Sequence, residues 1–292
     1  MKVLVTGVKG QLGYDVRKEL AARQIPAVGV DIEEMDVTRE ESVRQVMESE
    51  SPDAVIHCAA YTAVDAAQDD EELCRSVNVH GTRNLAAACK RRDIPLLYLS
   101  TDYVFDGQGE APWKPEDEKK PLNIYGQTKY EGELAIQNTL EKYFIVRISW
   151  VFGRNGRNFV QAILNRAKAL KAEKPSETPV LSVVSDQFGS PTYTYDLAKL
   201  LADMIVTDRY GVYHASNEGI CSWYEFACEV FRQTGMEAEV KPVGSGEYPV
   251  KASRPFNSRM DKSKLDRNGF RRLPPWQDAL GRYLREIGAK GA

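Results

Sequence analysis

Short apolar runs alternate with amphipathic stretches through the first half of the chain. KVLVT, AVGVD, DAVIHCAA, IPLLYLST and FIVRIS are almost continuously apolar. Between the first two, QLGYDVRKELAARQ places Leu12, Val16 and Leu20 at helical spacing. TREESVRQVMES opens with Thr38 and Glu41, the S/T-x-x-E arrangement of a capping box, and predicts a second helix. EELCRSVNVHGTRNLAAACKRR reads as one further long helix, and a helix is expected over 125–138. Strands this apolar are covered on both faces, so the pattern predicts an α/β fold with a doubly wound parallel sheet. After Trp150 the rhythm changes. Helices at NFVQAILNRAKALKAEK, YTYDLAKLLADMI, SWYEFACEVFRQ and PWQDALGRYLREI are set among short strands and segments rich in Pro, Gly and Ser. This predicts a first domain over 1–150 plus about 192–215, and a smaller, interleaved α/β domain over about 151–191 and 216–292.

Composition narrows the picture. With 292 residues, 42% of them apolar, the chain is long enough for a large unit with a second lobe. The net charge of -3 leaves no basic footprint for nucleic acid. No apolar run approaches the roughly 20 residues that cross a membrane, and MKVLVTG reads as a buried strand rather than a secretory leader. Five cysteines without a C-x-x-C pair are expected to be buried free thiols, and the three histidines are not spaced as metal ligands. The expectation is a soluble, cytoplasmic protein that engages no metal, nucleic acid or membrane.

Candidate chemistry begins at VLVTGVKGQLG. Gly7, Gly10 and Gly13 follow a strand and open a helix. A helix N-terminus offers unpaired amides and partial positive charge, and glycine permits the close backbone approach that a pyrophosphate needs. This is a Rossmann-type dinucleotide cradle. Asp31 ends the second strand, where a carboxylate accepts hydrogen bonds from both ribose hydroxyls. The following IEE adds negative charge, which favours NADH over NADPH, although Lys9 in the glycine loop softens the repulsion. In PLNIYGQTKYEGE, Tyr125 and Lys129 lie one helical turn apart. A phenol ordinarily titrates near 10, and an adjacent ammonium favours the phenolate and makes Tyr125 a usable acid or base. Just upstream, LLYLSTD ends an apolar strand in Ser100, Thr101 and Asp102. Ligands of open α/β sheets bind at such strand ends, where the Thr101 hydroxyl is placed to meet a carbonyl oxygen.

TGVKGQLG, STDYVF, YGQTK and SWVFG together resemble the extended short-chain dehydrogenase/reductase superfamily. HCAAYTAVDAAQ, STDYVFDG, PLNIYGQTKYEGE, RISWVFG, VVSDQFGSPTYTYDLA and SRPFNSRMD are similar, more narrowly, to the dTDP-4-dehydrorhamnose reductase family, in order and over nearly the whole chain. The resemblance implies NAD(P)H-dependent reduction of the C4 ketone of dTDP-4-dehydro-L-rhamnose. It implies that Tyr125 donates the proton, Thr101 polarises the carbonyl, and Lys129 lowers the Tyr125 pKa and holds the nicotinamide ribose. Gly10, Gln11 and Leu12 would line the pyrophosphate, Asp36 and Val37 the adenine, and Ala59, Ala60 and Thr62 the length of the cofactor. Asp102 and Trp150 would contact the sugar, and Arg254 the diphosphate. Members reported as metal-bridged dimers use acidic residues on the helix where this chain has Tyr193 and Tyr195, so no metal is inferred, and both monomer and homodimer stay open. Two alternatives also remain at this point. One is another nucleotide-sugar epimerase or reductase of the same fold. The other is a non-catalytic regulatory subunit, against which the intact Thr101, Tyr125 and Lys129 set argues.

Overall fold

The five apolar runs and one later strand form one parallel sheet. Its strands are Val3–Thr6, Ala27–Val30, Ala54–His57, Leu96–Thr101, Tyr143–Ile148 and Gly211–His214. The order across the sheet is second, first, third, fourth, fifth, sixth. In this computed structural model residues 1–247 and 250–289 are described; residues 248–249 and 290–292, which fall within the second domain expected from the sequence, lie outside them.

Alternation along the strands builds two cores. Val3, Val5, Ile56, Leu97, Leu99 and Val146 face the helices Gln11–Ala22 and Thr194–Ile205. Leu4, Val55, Leu96, Tyr98 and Ile145 face the opposite way, toward Glu40–Glu50, Thr82–Arg92 and Ile124–Gln137. The strands are buried because both faces are covered, as their near-continuous apolar character predicts. The direction of strand progression reverses at the first strand, and a sheet with such a reversal has a crevice at the carboxyl ends there. The architecture is a Rossmann-like doubly wound α/β fold.

Two local expectations fail for identifiable reasons. The Thr38–Glu41 capping box does not form. The Thr38 hydroxyl and amide instead donate to Asp36 Oδ1 at 2.7 and 3.0 Å, and the helix begins at Glu40 with Arg39 as an N-cap that makes no side-chain bond. The short Asp36 side chain outcompetes the longer-range box. The long third helix is also interrupted. Glu71–Arg75 and Thr82–Arg92 are α-helical, while Ser76–Gly81 widens to π geometry. There Asn78 turns its amide inward, accepting from Tyr61 N at 2.8 Å and donating to Thr128 Oγ1 at 3.1 Å.

A third core, remote from the sheet, packs Phe159–Glu173, Trp223–Thr234 and Trp276–Glu286 around Phe152, Phe226 and Tyr283. Here a capping box does form, between Ser222 and Glu225. Tyr193 lies in the two-residue strand Thr192–Tyr193, just before the helix Thr194–Ile205, and Tyr195 is that helix's second residue. The one carboxylate in its first turn, Asp196, is engaged within the chain. It accepts from Arg282 Nη1 and Nη2 at 2.7 and 2.6 Å and from Asn217 at 2.8 Å. Among the described residues the cysteines form no disulfide; Cys74, Cys89 and Cys221 are buried, and Cys58 and Cys228 half-buried.

Candidate active site

The first strand ends at Thr6 and the chain turns at Gly7, whose φ of +68° lies in the left-handed region that glycine favours. A Cβ there would sit 2.7 Å from the amide nitrogen of Ala59, so the glycine loop and the end of the third strand touch backbone to backbone. A Cβ on Gly13 would collide with the Gly7 carbonyl. Gly10 caps the following helix without a side-chain hydrogen bond, which leaves the first-turn amides open to an anion. These features fit a dinucleotide pyrophosphate. At the end of the second strand, Asp31 Oδ2 accepts from the Lys9 amide at 2.9 Å. The Lys9 ammonium is held by Glu33 at 2.7 Å, which raises its pKa.

The third and fourth strands supply the floor. Thr6 Oγ1 accepts from Ala59 N at 3.1 Å and is hydrogen-bonded with His57 Nδ1 at 2.8 Å. His57 is buried, and desolvation with the nearby Lys129 drives its pKa down to about 3, so it is neutral. The fourth strand ends at Thr101, 4% exposed. Its hydroxyl accepts from Tyr103 N at 3.2 Å and donates to Asp102 Oδ1 at 3.1 Å, and it neighbours the Tyr125 phenol. Asp102 is buried, and desolvation pushes its pKa up to about 6 against Ser258 and Thr101. Ser258 faces it, yet Asp102 Oδ2 and Ser258 Oγ each lack a well-formed hydrogen bond.

Asn123 starts the helix that carries the tyrosine and lysine. Its side chain accepts from Gly126 N at 2.8 Å, the expected N-cap bond. Tyr125 lies in the first turn and meets Tyr103 edge-on, with ring centroids 5.7 Å apart. Lys129, 2% exposed, places Nζ 3.9 Å from the centroid of the Tyr98 ring. Burial lowers the Lys129 pKa to about 7, opposed by Glu133, Cys58 and Cys74. The sequence led us to expect Lys129 to lower the phenol pKa. Here burial raises the Tyr125 pKa, and the Thr101 hydroxyl is the neighbour that opposes it. The reason is placement, since the ammonium lies over Tyr98.

The expected residues converge on one cavity of about 730 Å³. Gly7, Gly10, Gln11, Leu12, Gly13, Asp31, Asp36, Val37, Ala59, Ala60, Thr62, Thr101, Asp102, Tyr125, Lys129 and Trp150 all line it. Arg254 does not. Its guanidinium donates from Nη1 and Nη2 to Asp65 at 3.1 and 2.7 Å and from Nη1 to Ala252 O at 3.0 Å. Trp150 adopts φ +50°, an uncommon conformation for a bulky residue. It stacks on Trp223 with ring centroids 3.8 Å apart, and Gly189 leaves room for the indole. Trp223 and Tyr103 also line the cavity and were missed in the sequence. Trp223 lies more than seventy positions beyond Trp150, and no periodicity links the two. Tyr103 sits within STDYVF and was visible only as part of that block.

Comparison with known proteins agrees with this geometry. A family model described as the RmlD substrate binding domain matches residues 1–288. The spore coat polysaccharide biosynthesis protein SpsK of Bacillus subtilis is 37% identical over 98% of this chain and 97% of its own length. A dTDP-4-dehydrorhamnose reductase of Aggregatibacter actinomycetemcomitans is 36% identical over 96% of this chain and 97% of its own. The crystal structure of dTDP-4-dehydrorhamnose reductase from Bacillus anthracis in complex with NADP is 39% identical, with a TM-score of 0.92 over 98% of this chain and 99% of that one. On a match of this extent, carried by a nucleotide cradle and a Thr–Tyr–Lys cluster in one cavity, the chain belongs to the dTDP-4-dehydrorhamnose reductase family of oxidoreductases.

Proposed function

We propose that the protein reduces the C4 ketone of dTDP-4-dehydro-L-rhamnose to give dTDP-L-rhamnose. The observation that carries this reading is the meeting of Thr101, Tyr125 and Lys129 with the Gly7–Gly13 cradle in a single cavity. A bound reduced nicotinamide supplies the hydride for the carbonyl carbon. The protein supplies the rest. The Thr101 hydroxyl donates to the carbonyl oxygen, and the Tyr125 phenol, kept protonated by burial, gives up its proton there as negative charge develops. Donors preplaced where charge appears contribute most in the transition state. Lys129 holds the ribose. Asp102 and Trp150 orient the sugar, and Arg254 turns from Asp65 toward the diphosphate.

Asp31, with Glu33 and Glu34 beside it, disfavours a 2′-phosphate and supports NADH. Lys9 is already paired with Glu33 and offsets little of that charge. The relative crystallised with NADP makes NADPH the competing outcome.

The test is oxidation of NADH and of NADPH, followed by absorbance, with enzymatically generated dTDP-4-dehydro-L-rhamnose. The Tyr125→Phe variant runs alongside and is expected to lose ~10²-fold or more in turnover. A near-normal rate in the variant would remove Tyr125 from the chemistry. No oxidation by a protein that still binds both cofactors would favour epimerisation or a regulatory role.

A further inference from the structure

Behind the cavity, and in no contact the proposed reaction uses, lies a buried polar network centred on Glu133. Glu133 is 1% exposed and follows Lys129 by one helical turn and Tyr125 by two. Its Oε1 accepts from Ser100 Oγ at 2.5 Å and from Arg147 Nε at 2.8 Å, and its Oε2 accepts from Arg147 Nη2 at 2.7 Å. Arg147, also 1% exposed, continues to Pro115 O at 3.0 Å and His214 Nε2 at 3.3 Å. Ser100 directly precedes Thr101. One carboxylate therefore ties the helix bearing Tyr125 and Lys129 to the strand ending in Thr101, and through Arg147 to the fifth and sixth strands.

We propose that Glu133 is a positioning residue for the reductase: it sets the register of the Tyr125–Lys129 helix on the Thr101 strand and places an interior carboxylate one helical turn from Lys129. A buried ion pair adds little net stability against an apolar replacement of similar volume. Its place beside a catalytic lysine gives it a use that packing alone lacks. The groups around Lys129 are Glu133 on its own helix, Cys58 and His57 at the end of the third strand, Cys74 on Glu71–Arg75, and the Tyr98 ring on the fourth strand. Among them Glu133 is the only carboxylate. Around Glu133 the charged neighbours are Arg147, Lys129 and Lys119.

The inference rests on the proposed reductase reading, so its test has a readout that does not need turnover. Three proteins are compared with wild type: Glu133→Gln, Glu133→Gln with Arg147→Met, and Ser100→Ala. The double variant strands no charge and keeps the fold accessible. The rate of reductive methylation of Lys129 is followed by mass spectrometry against pH, together with kcat and KM. Both Glu133 variants are expected to make Lys129 reactive at a pH about one unit lower than wild type, because the carboxylate that favours its ammonium is gone. They are expected to lose about tenfold or more in kcat while KM for the cofactor changes little. Ser100→Ala is expected to lower kcat with the Lys129 titration unmoved. An unshifted Lys129 titration in Glu133→Gln, or wild-type kcat in the double variant, would overturn the proposal. If wild type fails to reduce the ketone at all, the reductase reading falls, and the methylation profile still decides whether Glu133 controls Lys129.

Discussion

At the scale of single residues, Asp102 shows what the cavity costs. Its carboxyl is 2% exposed, and Oδ2 has no hydrogen bond among the described residues. Burial raises its pKa from the ordinary carboxylate range to about 6. A folded-state pKa above the unfolded value favours the fold at low pH, and that contribution is lost as pH rises through about 6. Asp102→Asn is therefore expected to stabilise the protein at pH 8 by about one to a few kcal/mol, and far less at pH 4, where the folded carboxyl is protonated and the unfolded one about half protonated. Urea denaturation at the two pH values checks this, and an equal effect at both would show that ionisation is not the cause. A wall residue that weakens the fold at neutral pH fits a site shaped for a ligand. Thr101, Tyr125 and Lys129 were each legible in the sequence, because their types and spacing are chemical. The direction of the Lys129 side chain was not, since the Tyr98 ring that receives it comes from another element.

Among elements, the turn from the first strand into the first helix carries a tight constraint. Gly7 combines a positive φ with a close approach to Ala59 N, whereas the nearest atom to a Cβ on Gly10 is the Gly7 carbonyl oxygen at 3.2 Å. Gly7→Ala is expected to cost ~1–2 kcal/mol from the backbone conformation, with further loss from the collision, and to abolish tight cofactor binding. Gly10→Ala is expected to be milder in both respects. Thermal unfolding and cofactor titration measure the pair, and equal behaviour of the two variants would contradict the geometry. Strand positions were legible because apolar runs that are buried on both faces have few other placements. The interrupted third helix was not. Its π segment is set by Asn78, whose partners Tyr61 and Thr128 lie far away in sequence.

Across the whole molecule, paired side chains join segments that are distant in sequence. Trp150 stacks on Trp223, Arg254 pairs with Asp65, and Lys251 pairs with Asp69. The Asp65–Arg254 pair is partly exposed, so its own contribution to stability is small. Arg254→Ala is expected to weaken dTDP-sugar binding by roughly tenfold or more, the scale of a lost charge-assisted hydrogen bond, with cofactor affinity unchanged. Calorimetric titration with each ligand separates the two, and parallel losses would indicate a folding defect. No helix among the described residues is long and apolar enough to cross a membrane.

The order of strands and helices, the glycine cradle and the Tyr125–Lys129 spacing were readable directly, because local periodicity and short motifs obey rules of one or two turns. Arg254 beside Asp65, Trp223 on Trp150, and Glu133 bridging Ser100 to Arg147 were not readable. Each joins residues at least fourteen positions apart, and most join residues far more distant. Only the assembly of the sheet and the docking of the third core bring them within bonding distance. The same burial sets the charge states of Asp102 and Lys129, because desolvation depends on what surrounds a group in space and not on what precedes it in the chain.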